Sequence, residues 1–292
     1  MVKNQVKSAQ DQSQSRGHII RNLVIFALAT LGAGWLGVVV NNATQAPNPQ
    51  QGLGSLLWIL IPVVTGLLLR ALGGDGWGDS GLRPHIRSGW VYYSVALLVF
   101  PLVSLLVFGL GYAFGAFSAQ GFATQGLGAF GSLGVASFAA SFVKNIFEEF
   151  AWRGYLTARF EALNIHPFIN HLLTGLIWAG WHIPYWLYMT DVQQFTTLSK
   201  PAFVFVGVLV LLITTITYGE IRLLSNSVWP AVILHSVANA ITATFLLDGF
   251  IKLNGGLGIV LSPGNDGIVH SILFGLVGFG LYRYRRNITQ SP

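Results

Sequence analysis

The sequence predicts an all-α protein, a polytopic integral membrane helical bundle with about eight transmembrane helices. Three observations carry that expectation. Of 292 residues, 53% are hydrophobic and 9% charged, with a mean hydropathy of +0.61. Soluble domains carry about 25% charged residues, so this chain cannot cover its own surface with polar groups, and lipid is its solvent. The apolar residues also fall into eight runs, each near the ~20 residues that a helix needs to cross a bilayer. Finally, the cations divide unevenly between alternate connections. With a cytoplasmic N-terminus, Lys3, Lys7, Arg16, Arg21, Arg70, Arg83, Arg87, Arg153, Arg159, Arg222, Arg283, Arg285 and Arg286 fall on the cytoplasmic side. Only Lys144, Lys200 and Lys252 fall opposite, a strong positive-inside asymmetry. Seven or nine spans would scramble it. Both termini are therefore expected in the cytoplasm.

Residues 1–17 are polar and rich in Gln, Ser and Lys, as expected of a disordered cytoplasmic tail rather than a cleavable signal peptide. A single transmembrane domain, 18–286, follows, with spans near 19–40, 53–72, 89–114, 135–158, 167–189, 201–221, 228–247 and 268–284, and a short tail at 287–292. The second and third spans are joined by the turn-rich GGDGWGDSGLRPH. Residues 115–134 carry no charge and read as an extracytoplasmic loop or a re-entrant segment. The fourth span is the least apolar, because it holds Lys144, Glu148, Glu149 and Arg153. Span seven opens on Asn226 or Ser227 as a cap, with Pro230 in the first turn. No repeat of 20–50 residues is visible, nor the inverted duplication of transporters.

Composition removes several function classes. Without cysteine there are no disulfides, thiolate nucleophiles or Cys-held metals. The net charge of +6 is explained by loop sidedness, so nucleic acid is not expected as a partner. Membrane lipid is.

Chemistry concentrates in Asn145–Arg159. A charge near the centre of a membrane helix costs roughly 2.5–3.5 kcal/mol on insertion scales, and here two carboxylates are adjacent. Glu149 and Arg153 lie four apart, with the acid N-terminal to the base, the favourable order. Glu148 lies about 100° round the helix and is expected to have no such partner, leaving one structural and one working carboxylate. Span five places Trp178 and His182 on one face, with Pro184 expected to end or kink the helix there. Span seven places His235 and Asn239 on one face. Each histidine alone is as easily explained as interhelical glue. His171, about three turns and 16 Å before His182, is too far away to share a ligand with it and reads as a cavity or interface residue. Glu220 with Arg222 reads as an interfacial pair. Together, a free carboxylate, two imidazoles and an amide on three helices have the parts for a hydrolytic site.

EEFAWR (148–153) matches the EExxxR signature of the CPBP family, the CAAX-type prenyl-protein endopeptidases and bacteriocin-processing proteins. WAGWH (178–182) resembles that family's FxxxH motif, with Trp178 where Phe is usual, and HSVAN (235–239) matches HxxxN. The three occur in order within 145–239, inside a catalytic core of about 135–247. The resemblance implies an intramembrane endopeptidase with Glu148 activating water, His182 assisting, and His235 with Asn239 stabilising the oxyanion. Glu149 and Arg153 would brace the helix. It leaves two mechanisms open, one metal-free and one in which Zn2+ is held by Glu148, His182 and His235. The implied substrate is a membrane-associated or lipidated peptide, prenylated in the eukaryotic members, and the implied location is a prokaryotic plasma membrane. The alternatives are a catalytically silent scaffold or bacteriocin-immunity protein of the same fold, and a proton-coupled transporter using the same carboxylates and histidines.

Overall fold

The computed structural model describes residues 2–194, 196–264 and 266–290, with side chains from Arg16 onward. The tail expected over 1–17 lies almost wholly outside the residues whose side chains are described. In chain order the helices are α1 (Val2–Ala43), α2 (Leu53–Ala71), α3 (Ile86–Ala113), α4 (Gln120–Ala151) and α5 (Thr157–Ala162). They continue with α6 (Pro167–Pro184), α7 (Lys200–Ser225), α8 (Trp229–Thr242), α9 (Gly255–Val260) and α10 (Ile268–Gln290). Two-residue strands β1 (Phe117–Ser118) and β2 (Lys252–Leu253) pair antiparallel.

Among the described residues, six stretches are long and apolar enough to cross a membrane: Arg16–Ala43, Leu53–Ala71, Ile86–Ala113, Gln120–Ala162, Lys200–Ser225 and Trp229–Leu247. The protein is a polytopic helical membrane protein. The other two expected spans are helical as well. Both have diluted hydropathy, one through its histidines and tryptophans, the other through Arg283, Arg285 and Arg286. The stretch 115–134 is not a loop. Beyond a tight turn and β1 it is the start of α4, broken at Gly126 (φ 81°, ψ 163°), a backbone region open chiefly to glycine. Its uncharged, largely apolar composition suits a helix lying in lipid.

Three five-residue π-helical turns interrupt the bundle, Trp152–Leu156, Tyr185–Met189 and Ala243–Leu247. Each continues one of the helices carrying a motif. Pro184 closes α6 as its missing N–H requires, and the chain passes straight into the second of these turns. Asn226 ends α7 in the left-handed conformation (φ 49°), while the Ser227 hydroxyl accepts the N–H of Trp229 in the first turn of α8.

Close crossings position the site. Gly37 of α1 lies so near Gly54 of α2 that a Cβ on Gly54 would fall 1.9 Å from the Gly37 carbonyl, the small-residue packing of membrane helices. Trp58 of α2 stacks on Trp181 of α6 at 3.9 Å, and each indole N–H donates to the other's carbonyl at 2.9 Å. That reciprocal pair fixes α6 one residue before His182. Thr217 of α7 donates to the Phe274 carbonyl of α10 at 2.7 Å.

The bundle end that carries both termini is tied by charge. Arg70 donates to the carbonyl of Gly154 and to Asp79, at 2.5 and 2.8 Å. Arg222 donates to the carbonyls of Arg153 and Asp79, at 3.2 and 2.6 Å. Arg159 pairs with Asp75 and Asp79, and Tyr155 donates to Asp75 at 2.7 Å. The expected Glu220–Arg222 pair does not form. Glu220 instead accepts from Arg285 (2.6 and 3.0 Å) and bonds His171 (2.7 Å). His171 is thus a buried interhelical contact.

Candidate active site

Four helices meet at the site. From α4 come Lys144, Asn145, Glu148 and Glu149, with Arg153 in the π turn that follows. From α6 come Trp178 and His182, from α8 His235, Ser236 and Asn239, and from α7 Thr215 and Tyr218. Residues four apart share a helical face, so the spacing within each motif aims its polar pair the same way.

Glu149 and Arg153 are fully buried and bonded at 3.0 Å. Arg153 is further held by Thr215 at 3.3 Å and lies over the rings of Trp178 (4.5 Å) and Tyr218 (4.7 Å), where a guanidinium is attracted to the negative ring faces. The same Glu149 oxygen takes the Nδ1 of His235 at 2.8 Å. An ionised carboxylate only accepts, so Nδ1 carries the proton and the Nε2 edge of His235 faces away. Glu149 therefore orients a histidine as well as bracing its own helix.

Glu148 is not partnerless. Lys144, one turn earlier on α4, places its ammonium 2.5 Å from one Glu148 oxygen, and the Trp178 indole N–H approaches the other at 3.4 Å. The pair is lopsided in exposure, with the Lys144 side chain 36% exposed and Glu148 nearly inaccessible. Trp178 is the hub of the cluster: its ring contacts His182 at 5.8 Å, His235 at 5.6 Å and Tyr218 at 5.7 Å. His182 Nδ1 donates to the Trp178 carbonyl at 2.9 Å, which leaves Nε2 as the free nitrogen of the neutral ring. A third relay sets the amide: Asn239 donates to Asn145 (3.3 Å), Asn145 to Ser236 (3.3 Å) and Ser236 to the Val232 carbonyl (2.6 Å).

A cavity of about 460 Å³ opens above this cluster, lined by Lys144, Trp178, His182, Tyr218, His235 and Asn239 together with apolar and aromatic side chains. Lys144 and Tyr218, which none of the three motifs includes, thus belong to it.

Residues 130–241 match the sequence model of a family described as "Type II CAAX prenyl endopeptidase Rce1-like". They span all three motifs and every polar residue of the cluster. This stretch is a domain of that family. No curated protein matches the chain.

The donor set of the Rce1-like domain bears on the zinc alternative. Among the described residues, no three His, Asp or Glu side chains converge as a metal-holding group. An ammonium sits on Glu148, and His235 turns its Nδ1 to Glu149 rather than Glu148. Glu148, His182 and His235 do not form a fitting zinc set as arranged here, and no step below runs through a metal.

Proposed function

We propose that the protein is an intramembrane endopeptidase that hydrolyses a peptide bond in a membrane-associated or lipidated peptide. The observation that carries this is a buried carboxylate, Glu148, held by Lys144 and Trp178, which line a cavity together with His182, His235 and Asn239.

In this mechanism Glu148 takes a proton from water as the water oxygen attacks the scissile carbonyl carbon. The free Nε2 of His182 accepts the second hydrogen bond of that water and fixes its direction. The carbonyl becomes an oxyanion. The spare N–H of Asn239 and the Lys144 ammonium are the donors available to it, and donors already in place need no reorganisation as the charge develops. Collapse of the tetrahedral species breaks the C–N bond, and the proton held on Glu148 passes to the leaving amine. Lys144 covers Glu148 from the cavity side, so its displacement by substrate exposes the carboxylate to water.

The test is cleavage of membrane-associated peptides by purified protein in liposomes, wild type beside Glu148→Gln and His182→Ala, with and without a zinc chelator. Loss of cleavage in both variants, with wild type unaffected by chelation, is expected. Loss on chelation with rescue by zinc would overturn the metal-free step, and unchanged cleavage by Glu148→Gln would remove Glu148 from the chemistry. A wild type that cleaves no peptide would favour the silent scaffold.

A further inference from the structure

The cavity has a direction. Besides the cluster, its lining includes Gln50, Thr196, Leu198 and Asp266. Gln50 lies in the α1–α2 connection, Thr196 and Leu198 in the segment before α7, and Asp266 in the segment before α10. Because the helices alternate in direction, these three connections lie at the same end of the bundle, opposite the end that holds both termini. The cavity therefore runs from that far end down to Trp178 and Tyr218.

At the other end the path is shut. Arg153 fills the space beneath Trp178 and Tyr218. Below it, Arg70 and Arg222 tie the 73–83 connection to the backbone of the π turn, through Gly154, Arg153 and Asp79. The void left there, lined by Arg70, Trp77, Tyr155 and neighbours, is only about 20 Å³, the space of a single water. From Glu148, α4 and its continuation run on to Ala162, about 21 Å at 1.5 Å per residue. The closed barrier is a thick one.

The closed end is also the cationic end. Among the residues whose side chains are described, eleven of the fourteen Lys and Arg belong to it, and only Lys144, Lys200 and Lys252 to the other. Cationic connections stay in the cytoplasm. We infer that the cavity opens to the extracytoplasmic face, and that its substrate is an exported peptide reaching the site from the outer leaflet rather than a cytoplasmic lipidated C-terminus. This rests on the endopeptidase proposal for the substrate, but not for the direction of the opening.

The chain has no cysteine, so a single introduced thiol reports its own position. Gln50→Cys and Leu198→Cys mark the mouth, and Ser88→Cys, exposed in the first turn of α3, marks the closed end. Each is expressed in bacterial cells and treated with a charged, membrane-impermeant maleimide, in intact cells and in inside-out vesicles. The expected result is at least tenfold faster modification of both mouth thiols in intact cells, with Ser88→Cys modified only in inside-out vesicles. The reverse pattern would overturn the inference and return a cytoplasmic lipidated peptide as the substrate. Labelling needs no cleavage, so this result and the activity of the Glu148→Gln series fail independently.

Discussion

Replacing Arg153 by Met tests the brace under the site most directly. Arg153 and Glu149 are each fully inaccessible, 3.0 Å apart, and the guanidinium lies within 5 Å of two aromatic ring centres. Arg153→Met keeps much of the aliphatic volume but strands the Glu149 carboxylate with His235 as its remaining partner. Removing one member of a buried pair costs about 3–5 kcal/mol, and each lost cation–π contact up to about 2. For a chain of this size that corresponds to a fall in melting temperature of roughly 6–20 °C. Adding Glu149→Gln removes the stranded charge. The double variant should recover at least about 1 kcal/mol relative to Arg153→Met, within the coupling expected of contacting residues. The assay is tryptophan fluorescence on heating the detergent-purified protein, for both singles and the double. A melting temperature for Arg153→Met within a degree of wild type, or losses that simply add in the double variant, would refute the brace.

Other consequences follow from the same geometry. Lys144→Met should lower kcat for peptide cleavage by tenfold or more, the scale of one charge-assisted hydrogen bond of about 1.5–3 kcal/mol, with Lys144→Arg retaining most of it; steady-state kinetics showing an unchanged kcat would remove Lys144 from the site. Gly54→Ala must push α2 off the Gly37 carbonyl, and a loss of about 1–3 kcal/mol is expected for such overpacking, read as a lower melting temperature with cleavage chemistry otherwise intact. Burial pushes the Asp266 carboxyl up to about 6, against the opposing hydrogen bond from Ser262. A raised acid destabilises the fold only where it must ionise, so this penalty is absent below about pH 4, grows through pH 4–6 and is complete above it. Asp266→Asn should therefore stabilise the protein at pH 7 by on the order of 3 kcal/mol and not at pH 4, and equal gains at both would disprove the cause.

The fold was legible because lipid solvation leaves so coarse a mark. Eight apolar runs became eight helical segments, and the Glu149–Arg153 spacing became a bond. Lys144 shows where legibility ended. It stands four residues before Glu148, but with the base before the acid, the weaker order on a helix, so spacing alone does not assign it to Glu148. His235 was placed in the site by its motif, yet its partner, Glu149, is 86 residues away, and no local rule selects Glu149 over Glu148. Glu220 made the same point: Arg222 was near in sequence, but the bundle delivered Arg285 and His171. For 115–134 the sequence leaves a loop and a re-entrant segment both open, because its small residues carry neither turn chemistry nor strong hydropathy, and most of it is helix broken at Gly126.

The three π turns have a consequence for how this bundle tolerates length change. Each closes its loop between residues five apart, Trp152 to Thr157, Tyr185 to Thr190 and Ala243 to Asp248, one residue more than an α-helical turn. Each motif helix thus carries one surplus residue, past the functional face in α6 and α8 and within the turn that holds Arg153 after α4. Deleting that residue would let the ordinary ladder close and rotate everything beyond it by about 100°, while leaving the residues upstream in register. Beyond the first turn lies the charged closure, and beyond the other two the rim of the mouth. In a chain built this way, a single-codon deletion in the second or third turn can re-aim the rim without disturbing the residues below it, whereas one in the first turn shifts Arg153 together with the seal.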